Sequence, residues 1–429
     1  MEGIFKTVVH THLKNAVGNP DIHYEATIWV DGIAARCIKI HSITEVENYV
    51  EECFPTLFMT AAMNTSEYRA VISRGHGNIF CKLVTFVNGR AKDTSTYQGI
   101  AHVQGDPNVE ASTQMMGMAD NITISVVTFE LYTRAAWALR VYQFGGTYEG
   151  MSPIDVVRYI LSTNMLGDIL PDNEKIVSID YDKEAQKQYW GIIVPDGTPL
   201  LGLFDYIQNR YGIYSSGVGA YLNKQSWHLF QPWDILNFNK TTDRLMIFNV
   251  PQDQMALPDK TYSADGSTIS IVATGNTQHI DDRDITALNQ GTGYRVGAVR
   301  ALELRTNSQD DDNAESTPND YVSASNPNPH RSGISNAPVI SARFKDDDKV
   351  LQSQFKRNSG SVVKVRWENS VRGILKPGMG VKFHYPVNNK VVFRYGTLIG
   401  EVFHTEVDNG SLSSDKYNTV SELTIWLAG

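Results

Sequence analysis

A chain of 429 residues with 41% hydrophobic and 20% charged residues, including 16 Phe, 7 Trp and 20 Tyr, has the composition of a folded protein of about two to four domains and excludes a disordered one. Its 38 basic and 47 acidic side chains leave a net charge of −9 without a dense basic cluster, which excludes a sequence-independent grip on nucleic-acid phosphates. Cys37, Cys53 and Cys81 form no CxxC pair and cannot all pair with one another, which fits packing roles in a reducing compartment. The N-terminus lacks the apolar core of a signal peptide. The longest apolar stretches, such as Ile122 to Leu131, fall far short of the ~20 residues that span a bilayer, so membrane anchoring is not expected.

From residue 21 to about 145 the hydrophobic pattern has mostly period two. Ala26–Val30 and Ile33–Ile40 flank Asp31-Gly32, a dipeptide that accepts positive φ at both positions and so predicts a tight hairpin. Ser42 with Glu45 three residues on reads as a capping box, and Val46, Tyr49, Val50 and Cys53 share one helical face, which predicts a helix ending before Pro55. Strands are predicted at 79–87 and 122–131, where β-branched and aromatic residues concentrate.

The pattern changes near residue 147. Ser152-Pro153 followed by Ile154, Val157, Ile160 and Leu161 predicts a capped amphipathic helix. Thr198-Pro199 followed by Leu200, Leu203, Phe204, Ile207 and Tyr211 predicts a second, ended by Gly212. Residues 306–336 hold only Tyr321, Val322 and Ile334 as sizeable apolar residues among Ser, Asn, Asp and Pro, which predicts a flexible acidic loop. Alternation then returns in Val363-Lys-Val-Arg-Trp-Glu, Val381–Tyr385 and Val391–Tyr395, with a last strand at 423–427. The expected organisation is mainly β with an α+β insertion: a β domain over 1–145, an α+β domain over 146–236 and an antiparallel β domain over 237–429.

No Gly-x-Ser-x-Gly, His-Glu-x-x-His, GxxxxGK[ST] or Cys/His zinc spacing occurs. His10 and His12 would share one face of a strand but lack an evident third ligand, so a surface reading is preferred to a metal site. Asp310–Asn313 begins like a calcium loop yet lacks the Gly and Glu that would complete it. Asp281, Asp282 and Asp284 beside Arg283 could do acid/base work in a cleft, but a polar turn is the simpler reading. Ser73-Arg-Gly-His-Gly77 precedes a strand-like run, not the helix start that would cradle a phosphate. The Tyr and Trp residues of 206–233 suit a core or subunit interface better than a sugar platform. No catalytic, cofactor-binding or metal-binding residue is assigned, and no enzyme is expected. A β-rich protein that binds or hydrolyses glycans is the alternative.

The order β domain, small α+β domain, β domain resembles the baseplate central hub proteins of contractile-tailed bacteriophages and the hub part of type VI secretion spike proteins. The resemblance is carried by Tyr148-Glu-Gly-Met-Ser-Pro-Ile-Asp-Val-Val-Arg-Tyr-Ile-Leu, by Pro195-Asp-Gly-Thr-Pro-Leu-Leu-Gly-Leu-Phe-Asp-Tyr-Ile-Gln and by Leu375-Lys-Pro-Gly-Met-Gly-Val-Lys-Phe. It implies two similar tail-tube-like barrels in one chain and a homotrimer forming a pseudo-six-fold ring. The ring would adapt a hexameric tail tube to a trimeric central spike in the virion, among other baseplate proteins. DNA would meet it only as passing cargo, and assembly would take place in the host cytoplasm. Because the sequence ends just after a strand, the spike is expected to be a separate protein and no lytic domain is expected.

Overall fold

The computed structural model describes residues 21–72, 79–102, 124–163, 170, 175–250, 261–279, 294–298, 321–324, 339–340, 349, 352–353, 356–357, 360–387, 390–407 and 417–428. The protein is mainly β.

Six strands close the first barrel: β1 (Ile22–Val30), β2 (Ile33–Asn48), β3 (Thr56–Asn64), β4 (Ile79–Val87), β5 (Arg90–His102) and β6 (Ile124–Thr133), with helix α1 (Thr65–Ile72) between β3 and β4. Every pairing in the ring is antiparallel. The Asp31-Gly32 hairpin forms as its residue types require, with φ of 47° and 82° and Val30 opposite Ile33. Alternation puts Tyr24, Ala26, Ile28 and Val30 of β1 inside with Met59, Leu83, Phe129 and Leu131.

The helix expected from Ser42 to Pro55 is absent: residues 42–48 are the second half of β2. Ser42–Val46 pair with β3 on one side, and all of 42–48 pair on the other with β20 (Lys390–Val407). Two ladders outweigh a local capping signature whose helix would satisfy fewer tertiary contacts.

Helix α2 (Arg134–Leu139), capped by Thr133, leads into the middle region. There β7 (Gln143–Glu149) pairs antiparallel with β9 (Gly191–Pro199), and β8 (Ser178–Tyr181), β10 (Gly219–Asn223) and β11 (Ser226–Phe230) form a mixed three-stranded sheet. Helices α3 (Pro153–Thr163) and α4 (Leu200–Tyr211) fall where the sequence predicts them. The Ser152 hydroxyl accepts the Asp155 N–H at 3.3 Å and donates to its carboxylate at 2.5 Å. Gly212 ends α4 in the left-handed region (φ 73°). Its start differs from expectation: Pro199 is the N-cap, and Thr198 donates to the Pro195 carbonyl at 2.6 Å. Val156, Val157, Leu203, Ile207, Leu222 and Trp227 share one core with Phe54 and Leu139 from the end of the first barrel.

After α5 (Asn237–Lys240) come β12 (Arg244–Val250), β13 (Tyr262–Asp265), β14 (Thr268–His279), β15 (Tyr294–Ala298), β16 (Tyr321–Ala324), β17 (Val339–Ile340), β18 (Gly360–Glu368), β19 (Gly380–Val387), β20 and β21 (Tyr417–Ala428). Strands β12, β14, β18, β19, β20 and β21 close a second six-stranded ring, and β13 pairs with β14 beside it. Val363, Val365 and Trp367 point inward, while Lys364 reaches Glu422 at 2.7 Å and Arg366 reaches Glu368 at 2.6 Å outside.

Two expectations for this half need correction. Strand β12 runs parallel to both β14 and β19, so the ring is not wholly antiparallel. The direction follows from where the chain arrives: the Asn237 amide in α5 donates to the Gly378 carbonyl at 2.8 Å and to Thr397 at 3.2 Å, which delivers Arg244 beside Gly380, the first residue of β19. Within 306–336, Tyr321–Ala324 is a strand antiparallel to β15, at the one place where two sizeable apolar residues adjoin. The rest of that stretch lies outside the described residues.

The two rings have the same order. With the strands of each counted along the chain, both close as first, second, third, sixth, fifth, fourth. The match extends to single residues. Gly99 in the fifth strand of one ring lies between Ile79 and Leu131, and Gly396 in the fifth strand of the other lies between Val381 and Leu427. At both positions the neighbouring backbone leaves no room for a side chain: a Cβ would sit 2.0 Å from the Glu130 carbonyl oxygen and 1.9 Å from that of Trp426.

Candidate functional site: the junction between the barrels

The feature that joins distant parts of the sequence is the seam where the second half of β2 meets the second half of β20. Ser42 to Asn48 face Glu406 to Gly400 in antiparallel register, and the Tyr49 N–H extends the seam to the Ile399 carbonyl at 2.9 Å. The two barrels thereby share one continuous sheet.

Side chains tie the seam. Arg372, in the loop between β18 and β19, forks onto Glu45 with Nε and Nη2 at 2.7 and 2.8 Å from its two oxygens, and Nη2 also donates to the Tyr97 hydroxyl at 2.9 Å. A second-barrel guanidinium thus holds two first-barrel strands in the bidentate geometry that arginine favours. Thr44 and His404 meet at 2.8 Å, and Tyr417 donates to the Ile40 carbonyl at 2.8 Å. Tyr417 also meets the ring of Tyr24 edge-on at 5.2 Å.

The unusual element is a carboxylate pair. Glu47 and Glu401 stand directly opposite each other in the ladder, where like charges repel. The Glu47 carboxylate accepts the hydroxyls of Tyr49 at 2.7 Å and Tyr221 at 3.2 Å; buried Glu401 accepts the Ser421 hydroxyl at 2.7 Å. Burial, then the charges of Glu45 and Glu401, push the Glu47 carboxyl up to about 8. Burial, with Glu45 adding to it, pushes Glu401 up to about 7 against the Ser421 hydrogen bond and Arg372. Each carboxyl of the pair is therefore held above its ordinary value, chiefly by burial.

Three cavities of about 540, 300 and 410 Å³ among the described residues are lined by residues such as Asp155, Arg158 and Tyr159, Asp182 and Glu184, and Arg36 and Ile38, and neither Glu47 nor Glu401 lines any of these three. Asp155 is engaged by Ser152 and Arg158. Among the described residues no group of three or more His, Cys, Asp or Glu side chains could hold a metal ion. Among them, too, no helix is long and apolar enough to cross a membrane. Trp227, Tyr214, Tyr221, Phe230 and Trp233, weighed as a sugar platform, are buried: Trp227 packs on Phe54 and Phe204, and Trp233 packs edge-on against Trp426 of the second barrel. The three cysteines are buried free thiols, with Cys37 pushed up to about 12 by burial. His10, His12, Ser73–Gly77, Asp281–Asp284 and Asp310–Asn313 lie outside the described residues.

Sequence reasoning missed the seam entirely. One signal was available: Ile43, Glu45 and Glu47 share a strand face whose first member is core-facing, and two acids following a core residue at period two mark a place where charge is buried against something.

The fold and its seam define a class of protein, two six-stranded barrels of one ring order fused edge to edge around an α+β insertion. No known family model and no curated protein matches the chain. Solved structures similar to it include a tail protein from Neisseria meningitidis MC58, at 10% identity over 94% of this chain and 96% of that one with a TM-score of 0.49. Another is the 43 kDa tail protein of prophage MuSo2 from Shewanella oneidensis, at 9% over 94% and 96% with a TM-score of 0.48. A third is an E. coli component of the type VI secretion system, at 11% over 93% and 76% with a TM-score of 0.40.

Proposed function

We propose that this chain is a structural protein of a contractile phage tail, the central hub of the baseplate. Three copies close a ring of six barrel lobes that adapts a hexameric tail tube to a trimeric central spike. In this reading 1–145 and 237–429 are the tube-like domains, and 146–236 is the insertion available to other baseplate proteins. Passing DNA is the only nucleic acid the ring meets.

The observation that carries the reading is the repeated architecture: one chain holds two barrels of the same strand order, joined by sheet continuity at a seam. A duplicated lobe turns three-fold symmetry of chains into near six-fold symmetry of lobes, and a rigid seam fixes the angle between lobes. Negative-stain electron microscopy of the purified protein, alone and with the tail tube protein, tests it. Class averages with six similar lobes around a central hole support the hub; particles of any other symmetry, or single chains under both conditions, refute it.

A further inference from the structure

The seam inside one chain joins the second strand of the first barrel to the fifth strand of the second. The same edges exist a second time in the molecule with their roles exchanged: the fifth strand of the first barrel is β5 and the second strand of the second barrel is β14. Resting on the ring reading above, we propose that the end of β5 in one copy and the end of β14 in the next form the interface between copies, by strand addition that repeats the β2–β20 seam.

The argument is positional. In the seam, β20 is paired with β19 up to Thr397, and β2 occupies the edge that β19 leaves, from Ile399 onward. In β5, pairing with β4 stops at Gly99, and for Ile100, Ala101 and His102 the one partner strand among the described residues is β6. Since Gly99 and Gly396 are equivalent, three steps along the sixth strand bring His102 opposite Thr128 and Gly400 opposite Thr424, with Ile399 inserted as a bulge in β20; His102 therefore stands where Gly400 pairs with Asn48 at the start of the seam.

The partner edge matches in the same way. Strand β2 is paired with β1 only up to Arg36, and β20 takes that side from Ser42 onward. Strand β14 is paired with β12 only up to Thr274, and at Gln278 and His279 the one partner strand among the described residues is β18. Among the described residues, neither edge has a partner strand beyond the point where the barrel's own neighbour stops. Neither carries the Pro or Lys that monomers place on exposed edges against pairing. The second copy is the fitting occupant because this sequence already contains the complementary edge for each. The contact is heterologous, so copies add head to tail and must close.

Hydrogen–deuterium exchange of the wild-type full chain, compared at ~1 µM and ~100 µM with particle mass measured in parallel, tests this. On association, peptides covering Ile100–His102 and Gln278–His279 are expected to slow together by ~10-fold or more, with the β2–β20 seam unchanged. Association that leaves these peptides fast and protects another surface overturns the edge assignment while leaving a ring intact. A chain of monomer mass throughout overturns the assignment, and whether the ring reading falls with it is decided by the microscopy with the tube protein.

Discussion

The opposed carboxylates of the seam lead to a specific expectation for Glu47→Gln. Glu47 keeps an acidic proton in the fold through a range where the unfolded chain has lost it, because burial and the facing charges penalise its ionised form. The folded state therefore binds more protons than the unfolded state between the ordinary carboxyl value and about 8, and stability falls as pH rises through that interval. The contribution is fully present below the ordinary value and lost above about 8; Glu401 acts in the same direction up to about 7. A carboxyl moved from 4.5 to about 8 loses, at about 1.4 kcal/mol for each tenfold in proton affinity, at most about 5 kcal/mol. Glu47 is only half-buried, so solvent screening reduces this to about 2 kcal/mol. Glutamine matches the protonated acid in shape, still accepts from Tyr49 or Tyr221, and has no proton to lose. Thermal unfolding followed at fixed ionic strength from pH 5 to 9 should show wild type losing stability steadily, with Glu47→Gln near wild type at pH 5 and more stable by about 2 kcal/mol at pH 9. Carboxylates elsewhere cancel in the difference between the two proteins. A variant that is less stable than wild type at pH 9, or that retains the full wild-type slope, refutes the assignment of a raised carboxyl to Glu47.

Three further outcomes follow from the same geometry. Arg372→Met strands Glu45 without its counter-charge and should cost about 3 to 5 kcal/mol in urea unfolding, whereas Arg372→Met combined with Glu45→Gln should recover at least half of that. Gly99→Ala and Gly396→Ala should each cost at least about 2 kcal/mol, because the obstacle is a carbonyl oxygen that no rotamer change relieves. Gly191→Ala, whose new methyl meets nothing nearer than 3.8 Å, is the control expected to stay close to wild type by calorimetry. Ser152→Ala should remove about 1 kcal/mol by deleting the cap of α3, detectable as a lower midpoint in chemical unfolding.

What the sequence made legible is local. Asp31-Gly32 dictates a turn because few residues tolerate its φ values, and Val363–Glu368 shows its strand because inside and outside alternate without exception. Ser152 and Gly212 mark helix ends through bonds that span a few residues. The failure at 42–53 has the opposite origin. The capping signature and the helical spacing are both present, but the segment's partners are β3 on one side and β20, some 360 residues away, on the other, and no window of local pattern contains them. The seam was hidden for the same reason: Arg372 and Glu45 are 327 residues apart.

The reversed strand β12 bears on how firmly the two barrels can be called copies of one design. A closed ring needs each edge satisfied, and a strand of either direction satisfies its neighbours' N–H and C=O groups, parallel pairing being only slightly weaker per residue. The order of the other five strands, the position of the fifth-strand glycine and the alternation of inward residues are unaffected by that reversal. The change is confined to the one strand that follows the insertion, where α5 is pinned to Gly378 and Thr397 and the chain must leave toward the start of β19. Inserting an α+β unit ahead of the second barrel moves the point of arrival from one end of the ring to the other, and turning that strand over is the smallest change that keeps the barrel closed. The stretch of β14 without a second partner strand among the described residues lies beyond the end of β12, so this reversal leaves it in the same place as its counterpart on β2.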